Sequence, residues 1–312
     1  MKSNRRIAVI GAGLMGHGIA LVMARSGHSV AVTDPMVEAR NDLHKHIAAS
    51  LKVLGVEGSE ADAILQRVSV HATLESAVAD ADVVFEAAPE KLPLKQRIFA
   101  DLEKYAPEHC ILASNTSVIQ ISKIMNGLDT RHRAVGTHWW NPAHMIPLVE
   151  VVKTPWTDEA VADDMMDLLD MAGKTPVKVD KDVPGFIGNR LQHALWREAI
   201  SLVEKGVCDA AAVDTVIKAS FGRRLAVLGP LENADLVGVD LTLDIHENVL
   251  FDLESRQSPS PYLKELIEEG RLGMKTNKGF HAWEEGEAEM TRQKVSDYLT
   301  LQSGILNDLN QQ

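Results

Sequence analysis

Cysteine is scarce in this sequence. The two cysteines, Cys110 and Cys208, lie far apart and form no CxxC pair. A disulfide framework and a zinc site built on thiolates are therefore not expected, and we predict no metal site. This cysteine usage fits the reducing environment of the cytoplasm, where we expect the protein to be located.

Long apolar runs and an excess of basic side chains are missing as well. No stretch reaches membrane length, and glycines interrupt MKSNRRIAVIGAG at the N-terminus, where a signal peptide would need a continuous apolar segment. The 32 Lys and Arg residues are outnumbered by 44 Asp and Glu residues, which gives a net charge of -12. This balance argues against nucleic acid or an anionic membrane as the main partner, although a small anionic ligand remains compatible with it.

The rest of the composition is that of an ordinary globular protein, with 45% apolar and 24% charged residues. A chain of 312 residues is long for one compact core, so we expect two domains. Predicted strands cover residues 6–11, 29–35, 81–90, 110–117, 133–142, 148–154 and 175–186, with helical spacing between most of them. Repeated strand–helix–strand units predict an α/β fold with a Rossmann-type, mostly parallel sheet.

Two segments depart from this alternation. Residues 36–66 contain two amphipathic helical stretches where a short connection is usual, and we predict a helical arm that projects from the sheet. From Pro184 onward the strand signals vanish and the long segments have helical spacing. We therefore predict an α/β domain at residues 1–183, which includes the arm, and an all-α domain at residues 184–312.

A GxGxxG stretch directly follows the first predicted strand and opens a helix. Gly11 permits a tight turn, Gly13 lets the backbone approach a pyrophosphate, and Gly16 lets the helix pack closely on the strand. The first turn of the helix, with Leu14 and Met15, offers free N–H groups to the phosphates. This context predicts a dinucleotide site; FAD, or a glycine turn that binds nothing, are the alternatives.

An acidic residue indicates which dinucleotide is bound. Asp34 ends the second predicted strand, 18 residues after Gly16. Its carboxylate would accept hydrogen bonds from the adenosine ribose and would repel a 2′-phosphate. The nearest following arginine, Arg40, is six residues further along. We therefore predict NAD, and not NADP, as the cofactor.

The segment GTHWWNPAHMIPLVE, residues 136–150, is unusual for a strand and turn. His138 ends a predicted strand at the sheet edge where ligands bind, and SNTS at 114–117 ends the preceding strand on the same edge. Glu150 follows after an apolar segment able to turn back toward His138. An imidazole suits a base for an alcohol proton, and a carboxylate at its other nitrogen would hold the tautomer. A core histidine beside a surface carboxylate is the alternative.

The stretches GAGLMGHGIA, SNTS, GTHWWNPAHMIPLVEV and DVPGFIGNR occur in the order and at the spacing of the L-3-hydroxyacyl-CoA dehydrogenases. The chain resembles that family over essentially its whole length. The resemblance implies an NAD-dependent dehydrogenase with His138 as general base and Glu150 as its orienting partner. Ser117 and Asn189 would bind the substrate oxygen. The implied cofactor contacts are Glu90, Lys95, Asn115, Asn141 and Lys275.

The adjacent Trp139 and Trp140 depart from the family, whose members commonly have Phe at these positions. Because volume and apolar character are kept, we interpret both rings mainly as packing behind His138, with one ring lining the substrate pocket as the alternative.

Two features of the sequence bear on the substrate. The predicted arm has few basic residues beyond Arg40, Lys45 and Lys52, and FGRRLAVLGP at 221–230 replaces the GYPMGP of acyl-CoA enzymes. FGRRLAVLGP resembles the corresponding stretch of the branch that contains gulonate 3-dehydrogenase (lambda-crystallin), carnitine dehydrogenase and a pyridine-carboxylate dehydrogenase. We therefore predict a small carboxylate substrate without CoA, bound bidentately by Arg224, with a solvated or interface arginine as the alternative.

Two alternative functions are compatible with the same residues. The first alternative is a short-chain 3-hydroxyacyl-CoA dehydrogenase acting on 3-hydroxybutyryl-CoA, and the second is a crystallin-like structural protein that binds NAD. The C-terminal helical segments, for example ALWREAISLV, are apolar enough to cover a second subunit. We predict a homodimer, in keeping with the resemblance.

Overall fold

An eight-stranded sheet forms the framework of the N-terminal half. The computed structural model describes residues 4–310, apart from the side chains of residues 303 and 306–310. The strands are β1 Arg6–Ile10, β2 Ser29–Thr33, β3 Val68–His71, β4 Val83–Glu86, β5 Ile111–Ser114, β6 Ala134–Trp139, β7 Leu148–Val152 and β8 Thr175–Val179. Their order across the sheet is β3-β2-β1-β4-β5-β6-β7-β8. The direction of chain progression switches between β1 and β4, which creates the crevice where open parallel sheets bind ligands.

Helices connect these strands and then form the C-terminal part. They are α1 Leu14–Arg25, α2 Val37–Val53, α3 Gly58–Leu65, α4 Leu74–Val78, α5 Leu92–Tyr105, α6 Ile121–Met125, α7 Glu159–Met171, α8 Gly188–Glu204, α9 Ala210–Ala219, α10 Pro230–Val237, α11 Val239–Val249, α12 Pro261–Glu268 and α13 Glu287–Asn310.

The sheet is parallel except at one junction. Strands β1 to β6 pair in parallel, β7 runs antiparallel to β6, and β8 is parallel to β7. The reversal follows from the short loop at residues 140–147, which is too short for a crossover helix. The predicted fold class is confirmed: a Rossmann-type, mostly parallel sheet with a helical arm, followed by an all-α C-terminal part.

Apolar side chains are buried on both faces of the sheet. In β1, Ile7 and Val9 belong to the hydrophobic cluster on one face, and Ala8 and Ile10 belong to the cluster on the other. Helices cover both faces, so a central strand has no solvent-facing side. This double burial explains why IAVI, residues 7–10, is a continuous apolar run instead of an alternating one.

The arm and the strand after it differ in part from expectation. Helices α2 and α3 form the arm, but Leu43, Ile47 and Leu51 of α2 are fully buried in the same cluster as α1, so its inner face packs on the domain. Strand β3 was not predicted. Its sequence VSVH has two apolar residues, and Val70 is 39% exposed, so the apolar signal of this edge strand is weak.

The chain separates into two compact units. One reaches Arg190 and also takes in the end of α13 from Ser296; the other is Leu191–Val295. The second unit is helical and exposes large apolar side chains, including Leu231 at 80% and Phe251 at 83%. The domain boundary after residue 183 stays a prediction. Within the described residues, none of the helices is both long and apolar enough to cross a bilayer.

Candidate active site

The glycine turn after β1 has the geometry that its sequence predicts. Gly11 has φ +112°, and a Cβ added there would lie 2.8 Å from the Ala87 carbonyl oxygen. A Cβ on Gly16 would overlap the Gly11 carbonyl oxygen, so only glycine allows this close packing of α1 on the turn. Gly13, in contrast, is exposed, and a Cβ added to it would have no neighbouring protein atom within 4 Å. Its open surface is available to a ligand.

The start of α1 is suited to bind phosphate. Gly13 is the N-cap and supplies no side-chain hydrogen bond, and the first turn contains no acidic residue. The N–H groups of the first turn have no intrahelical acceptors, so they and the helix dipole favour an anion. The side chain of Leu14 in this turn is 66% exposed, and that of Met15 is half-buried.

Asp34 follows β2 beside this turn. Its Oδ2 accepts the Ala12 N–H at 2.9 Å and its Oδ1 accepts the Met36 N–H at 2.8 Å. The guanidinium of Arg40, the nearest following arginine, donates a hydrogen bond to the Asp34 carbonyl oxygen. These contacts place a carboxylate next to the open glycine turn, and the arrangement fits an adenosine ribose followed by a pyrophosphate.

His138 and Glu150 occupy opposed positions on β6 and β7. The two residues pair directly in the antiparallel register, and Nδ1 of His138 lies 2.7 Å from Oε2 of Glu150. Both side chains are buried, at 4% and 1% exposure. A carboxylate accepts only, so Nδ1 carries the hydrogen of this bond. Nε2 of His138 has no hydrogen-bond partner among residues 4–310, which leaves it able to accept a proton.

Glu150 also holds the segment that leads into α8. Its Oε1 accepts the N–H groups of Ile187 and Gly188 at 2.8 and 3.0 Å. Burial alone would raise the pKa of the Glu150 carboxyl, but the hydrogen bonds from His138, Gly188 and Ile187 outweigh it, and the net pKa is lowered. Glu150 is therefore a carboxylate at neutral pH, and it carries the negative charge needed to stabilise an imidazolium.

Aromatic rings surround the His138 imidazole. The Trp140 and Phe186 rings lie with their centroids 5.1 and 5.6 Å from it. Trp140 also packs on Gly188, where a Cβ would collide with the indole. Trp139 instead points into the core, is 2% exposed, and meets Phe85 edge-on at 5.8 Å. Only one of the two indoles therefore lies against His138.

The structure brings Ser117 and Asn189 together. The Asn189 side-chain amide donates to the Ser117 carbonyl oxygen at 2.8 Å. Ser117 is exposed and Asn189 is half-buried. Asn115, at the end of β5, accepts the Trp139 N–H through its Oδ1 at 2.9 Å, which ties the ends of β5 and β6 together.

Glu90 organises the loop that carries Ser117. Its Oε1 accepts the Thr116 hydroxyl at 2.5 Å and the backbone N–H groups of Ser117 and Val118 at 3.0 and 3.1 Å. Burial would raise the pKa of Glu90, but the Thr116 hydroxyl, the Val118 N–H and the Lys95 charge outweigh it and lower that pKa.

Lys95 lies beneath this loop and is fully buried. Its Nζ donates to Glu86 Oε1 at 2.8 Å and to the Ala88 carbonyl oxygen at 3.1 Å, and it lies 3.5 Å from Glu90. The Ser114 hydroxyl donates to the second Glu86 oxygen at 2.7 Å. The Lys95 ammonium is thus surrounded by protein groups.

The remaining predicted contacts are exposed side chains. Asn141 is exposed in the loop after β6. Lys275 and Arg224 belong to the second unit, where both are exposed. Within the described part of the chain, the Arg224 guanidinium forms no ion pair or hydrogen bond.

Sequence reasoning missed three contributors to the site. Glu86 is the buried partner of Lys95, Phe186 packs on His138 in a left-handed conformation with φ +50°, and Lys174 holds the loop between β6 and β7. The DVPGF stretch contributes to the family likeness, but nothing in its sequence indicates an aromatic contact with the imidazole.

Comparison with known proteins shows the family of this chain. Residues 6–183 match the 3-hydroxyacyl-CoA dehydrogenase NAD-binding domain, and residues 185–283 match the C-terminal domain of the same family. The mitochondrial hydroxyacyl-coenzyme A dehydrogenase of Rattus norvegicus is 38% identical over 296 residues, covering 89% of this chain and 91% of the rat protein.

Two solved structures resemble this one. A 5-formyl-3-hydroxy-2-methylpyridine 4-carboxylic acid 5-dehydrogenase, described as an NAD⁺-dependent dismutase, superposes with a TM-score of 0.91 at 31% identity, covering 98% of this chain and 99% of that one. The (S)-3-hydroxybutyryl-CoA dehydrogenase of Ralstonia eutropha superposes with a TM-score of 0.76 at 29% identity, covering 91% and 100%.

The family resemblance and the NAD cofactor predicted from the sequence are thereby confirmed. The chain belongs to the 3-hydroxyacyl-CoA dehydrogenase family and is an NAD-dependent oxidoreductase that acts on a CH–OH group.

Proposed function

We propose that this enzyme oxidises the 3-hydroxy group of a small carboxylate-bearing substrate that carries no CoA. The main support for proton transfer to His138 is its hydrogen bond to Glu150, which engages Nδ1 and leaves Nε2 as a proton acceptor. Bound NAD⁺ supplies the acceptor for the hydride. The residues proposed to hold it are Gly11, Gly13, Leu14, Met15, Gly16, Asp34, Glu90, Asn115, Asn141 and Lys275. Lys95, whose buried ammonium is enclosed by Glu86, Ala88 and Glu90, is proposed to act on the cofactor only through Glu90.

His138 takes the hydroxyl proton at Nε2 as the C–H bond breaks. The imidazole becomes an imidazolium, and the Glu150 carboxylate 2.7 Å from Nδ1 stabilises that charge. Because Glu150 also accepts two backbone N–H groups, it stays fixed and keeps the ring in one orientation. Trp140 and Phe186 restrict water around the ring, which strengthens these electrostatic interactions.

Ser117 and Asn189 bind the substrate oxygen in this proposal. The hydrogen bond between Asn189 and the Ser117 backbone keeps the two side chains close to each other. Glu90 fixes the loop of Ser117, and Lys95 supports Glu90 from below. Together these contacts orient the hydroxyl group before the proton moves.

Two observations support a small carboxylate. The guanidinium of Arg224 is exposed and unpaired within residues 4–310, which suits bidentate binding of a carboxylate. The pyridine-carboxylate dehydrogenase superposes with the higher TM-score of the two structures compared, and its substrate name contains no CoA. The alternative is a short-chain 3-hydroxyacyl-CoA substrate, which the identity to the rat enzyme supports.

A screen of NAD⁺ reduction separates these substrates. L-Gulonate, L-carnitine and other free 3-hydroxy acids are compared with L-3-hydroxybutyryl-CoA at equal concentration. We expect a free hydroxy acid to give the highest kcat/KM. A clear preference for the CoA thioester would overturn the proposed substrate class, and no NADH from any of these substrates would favour the crystallin-like alternative.

Arg224→Met tests the carboxylate contact, with the neighbouring Arg223→Met as the matched control. Loss of a charged bidentate pair is expected to raise KM for the hydroxy acid about tenfold or more in Arg224→Met. Arg223→Met should leave KM unchanged. An unchanged KM in Arg224→Met would remove this role.

We also propose that the protein is a homodimer assembled through the second unit. That unit exposes many large apolar side chains, such as Leu231, Leu236 and Phe251, which a second subunit would cover. Light scattering is expected to give about twice the chain mass of 34.1 kDa. A mass of one chain at micromolar concentration would contradict this assembly.

A further inference from the structure

The loop between β6 and β7, residues 140–147, joins the strands that carry His138 and Glu150. Within this loop the Met145 and Ile146 N–H groups both donate to the Pro142 carbonyl oxygen at 3.0 Å. Ala143 is buried, and a buried carbonyl without a donor is costly. The Ala143 carbonyl oxygen therefore needs a donor from outside the loop.

Lys174, between α7 and β8, supplies that donor. Its side chain is buried, and its Nζ donates to the carbonyl oxygens of Ala143 and Ile146 at 2.5 and 2.9 Å. The same Nζ lies 5.4 Å from the centroid of the Trp139 ring, the residue directly after His138. One ammonium group thus contacts the last residue of β6 and two points of the loop that leads to β7.

Burying a lysine at position 174 costs free energy, because its ammonium loses its hydration. Burial lowers the pKa of Lys174 to about 8, and within residues 4–310 no carboxylate pairs with it. An apolar side chain of similar size would avoid the desolvation of a cation, but it could not donate to the two carbonyl groups. The buried ammonium is therefore explained by its hydrogen bonds to the loop, and not by an ion pair.

We propose that Lys174 is a positioning residue that fixes the loop at residues 140–147 and so keeps the His138 imidazole opposite Glu150. This inference rests on the proposed function, because it assigns Lys174 to the same proton transfer. Lys174 does not touch the reacting atoms. It acts through the loop, whose displacement would move Trp139 and Trp140 and thereby the ring of His138.

The test compares three substitutions at Lys174 with one elsewhere in the sheet. Lys174→Met removes both the donor and the charge, Lys174→Arg keeps both, and Lys174→Gln keeps donors without charge. Lys178→Met is the matched control, because Lys178 on neighbouring β8 pairs, among the residues that the structure describes, with exposed Glu159 and Asp163 alone. Turnover is measured as NADH formation from the best substrate of L-gulonate, L-carnitine and L-3-hydroxybutyryl-CoA. The turnover rate is divided by the concentration of NAD⁺-binding sites measured by calorimetry, so that misfolded protein does not lower the apparent rate.

Lys174→Met is expected to lower kcat per NAD⁺ site about 10- to 100-fold, because a displaced general base loses its alignment with the substrate, while KM changes little. Lys174→Arg is expected to restore most of the rate, and Lys178→Met should match the wild type. A folded Lys174→Met with wild-type kcat would overturn the proposal, as would an equal loss in Lys178→Met. If Lys174→Met does not fold, Lys174→Arg is expected to turn over faster than Lys174→Gln, and equal rates would overturn it.

His138→Gln, measured in parallel, distinguishes this inference from the proposed function. Wild-type turnover in His138→Gln would refute the proposed base and, with it, the positioning role. An inactive His138→Gln beside a fully active Lys174→Met would refute the positioning role alone.

Discussion

Trp139 and Trp140 are adjacent in sequence but contact different parts of the protein. The Trp139 ring meets Phe85 edge-on in the buried core, whereas the Trp140 ring lies 5.1 Å from the imidazole of His138. Alternation along a strand sends neighbouring side chains to opposite faces, and Trp140 directly follows the end of β6. The two residues therefore serve different purposes, although their shared sequence context predicts a single packing role for both.

Substitution of each tryptophan by alanine should separate these purposes. Trp139→Ala is expected to lower the free energy of unfolding by about 3–5 kcal/mol, because it empties a core site. Trp140→Ala should destabilise the protein less but lower kcat, because the ring that packs on His138 is lost. Urea unfolding and steady-state kinetics on both variants check this; a Trp139→Ala variant as stable as the wild type would contradict the assignment.

The glycine turn offers a second matched pair. Gly16→Ala should lower Tm strongly, because the new Cβ overlaps the Gly11 carbonyl oxygen. Gly13→Ala should leave Tm unchanged, because no neighbouring protein atom lies within 4 Å of the new Cβ. It should nevertheless weaken NAD⁺ binding, since the methyl group occupies the surface that a pyrophosphate approaches. Calorimetric titration of NAD⁺ into Gly13→Ala decides the point, and wild-type affinity would argue against this site.

The loop anchored by Glu90 should respond to acid. The pKa of Glu90 is lowered in the folded protein, so its contribution to stability is complete above the unfolded pKa of about 4.5 and is lost as pH falls through the lowered value. Glu90→Gln is therefore expected to be less stable than the wild type at pH 7, and the difference should shrink in acid. Urea unfolding of both proteins at a series of pH values measures it. A difference that does not change with pH would show that charge on Glu90 is irrelevant.

The two cysteines should differ in reactivity. Cys110 is fully buried, and burial raises the pKa of its thiol to about 12, whereas Cys208 is half-buried. Thiol reagents attack the thiolate, so Cys208 is expected to react in the native protein and Cys110 only after unfolding. Mass spectrometry after labelling with and without urea counts the modified sites. Rapid labelling of Cys110 in the absence of urea would contradict its burial.

The sequence predicted those features that rest on local backbone chemistry. The glycine turn followed from positions where a side chain does not fit, and the opposition of His138 and Glu150 followed from an apolar segment able to return along the preceding strand. Both depend on residues close in the chain. The continuous apolar runs likewise indicated strands buried on two faces, because helices cover both sides of such a sheet.

Features that depend on distant packing were not predictable in this way. Lys95 was expected to contact cofactor, yet nothing in its own sequence indicates that Glu86 is buried beside it. Lys174 gives no sequence signal, because lysines are ordinary after a helix and only the fold brings this one to the β6–β7 loop. Strand β3 was not predicted, because its apolar pattern is weak. It is recognised as a strand by its pairing with β2.

The central claim is that Nε2 of His138 accepts the substrate proton while Glu150 holds the ring. The most direct measurement is kcat for His138→Gln and Glu150→Gln, each with its NAD⁺ affinity determined by calorimetry. We predict a loss of about 10²-fold or more in kcat for both variants, with NAD⁺ affinity close to that of the wild type. Turnover within a few-fold of the wild type in a folded, NAD⁺-binding His138→Gln would contradict the account.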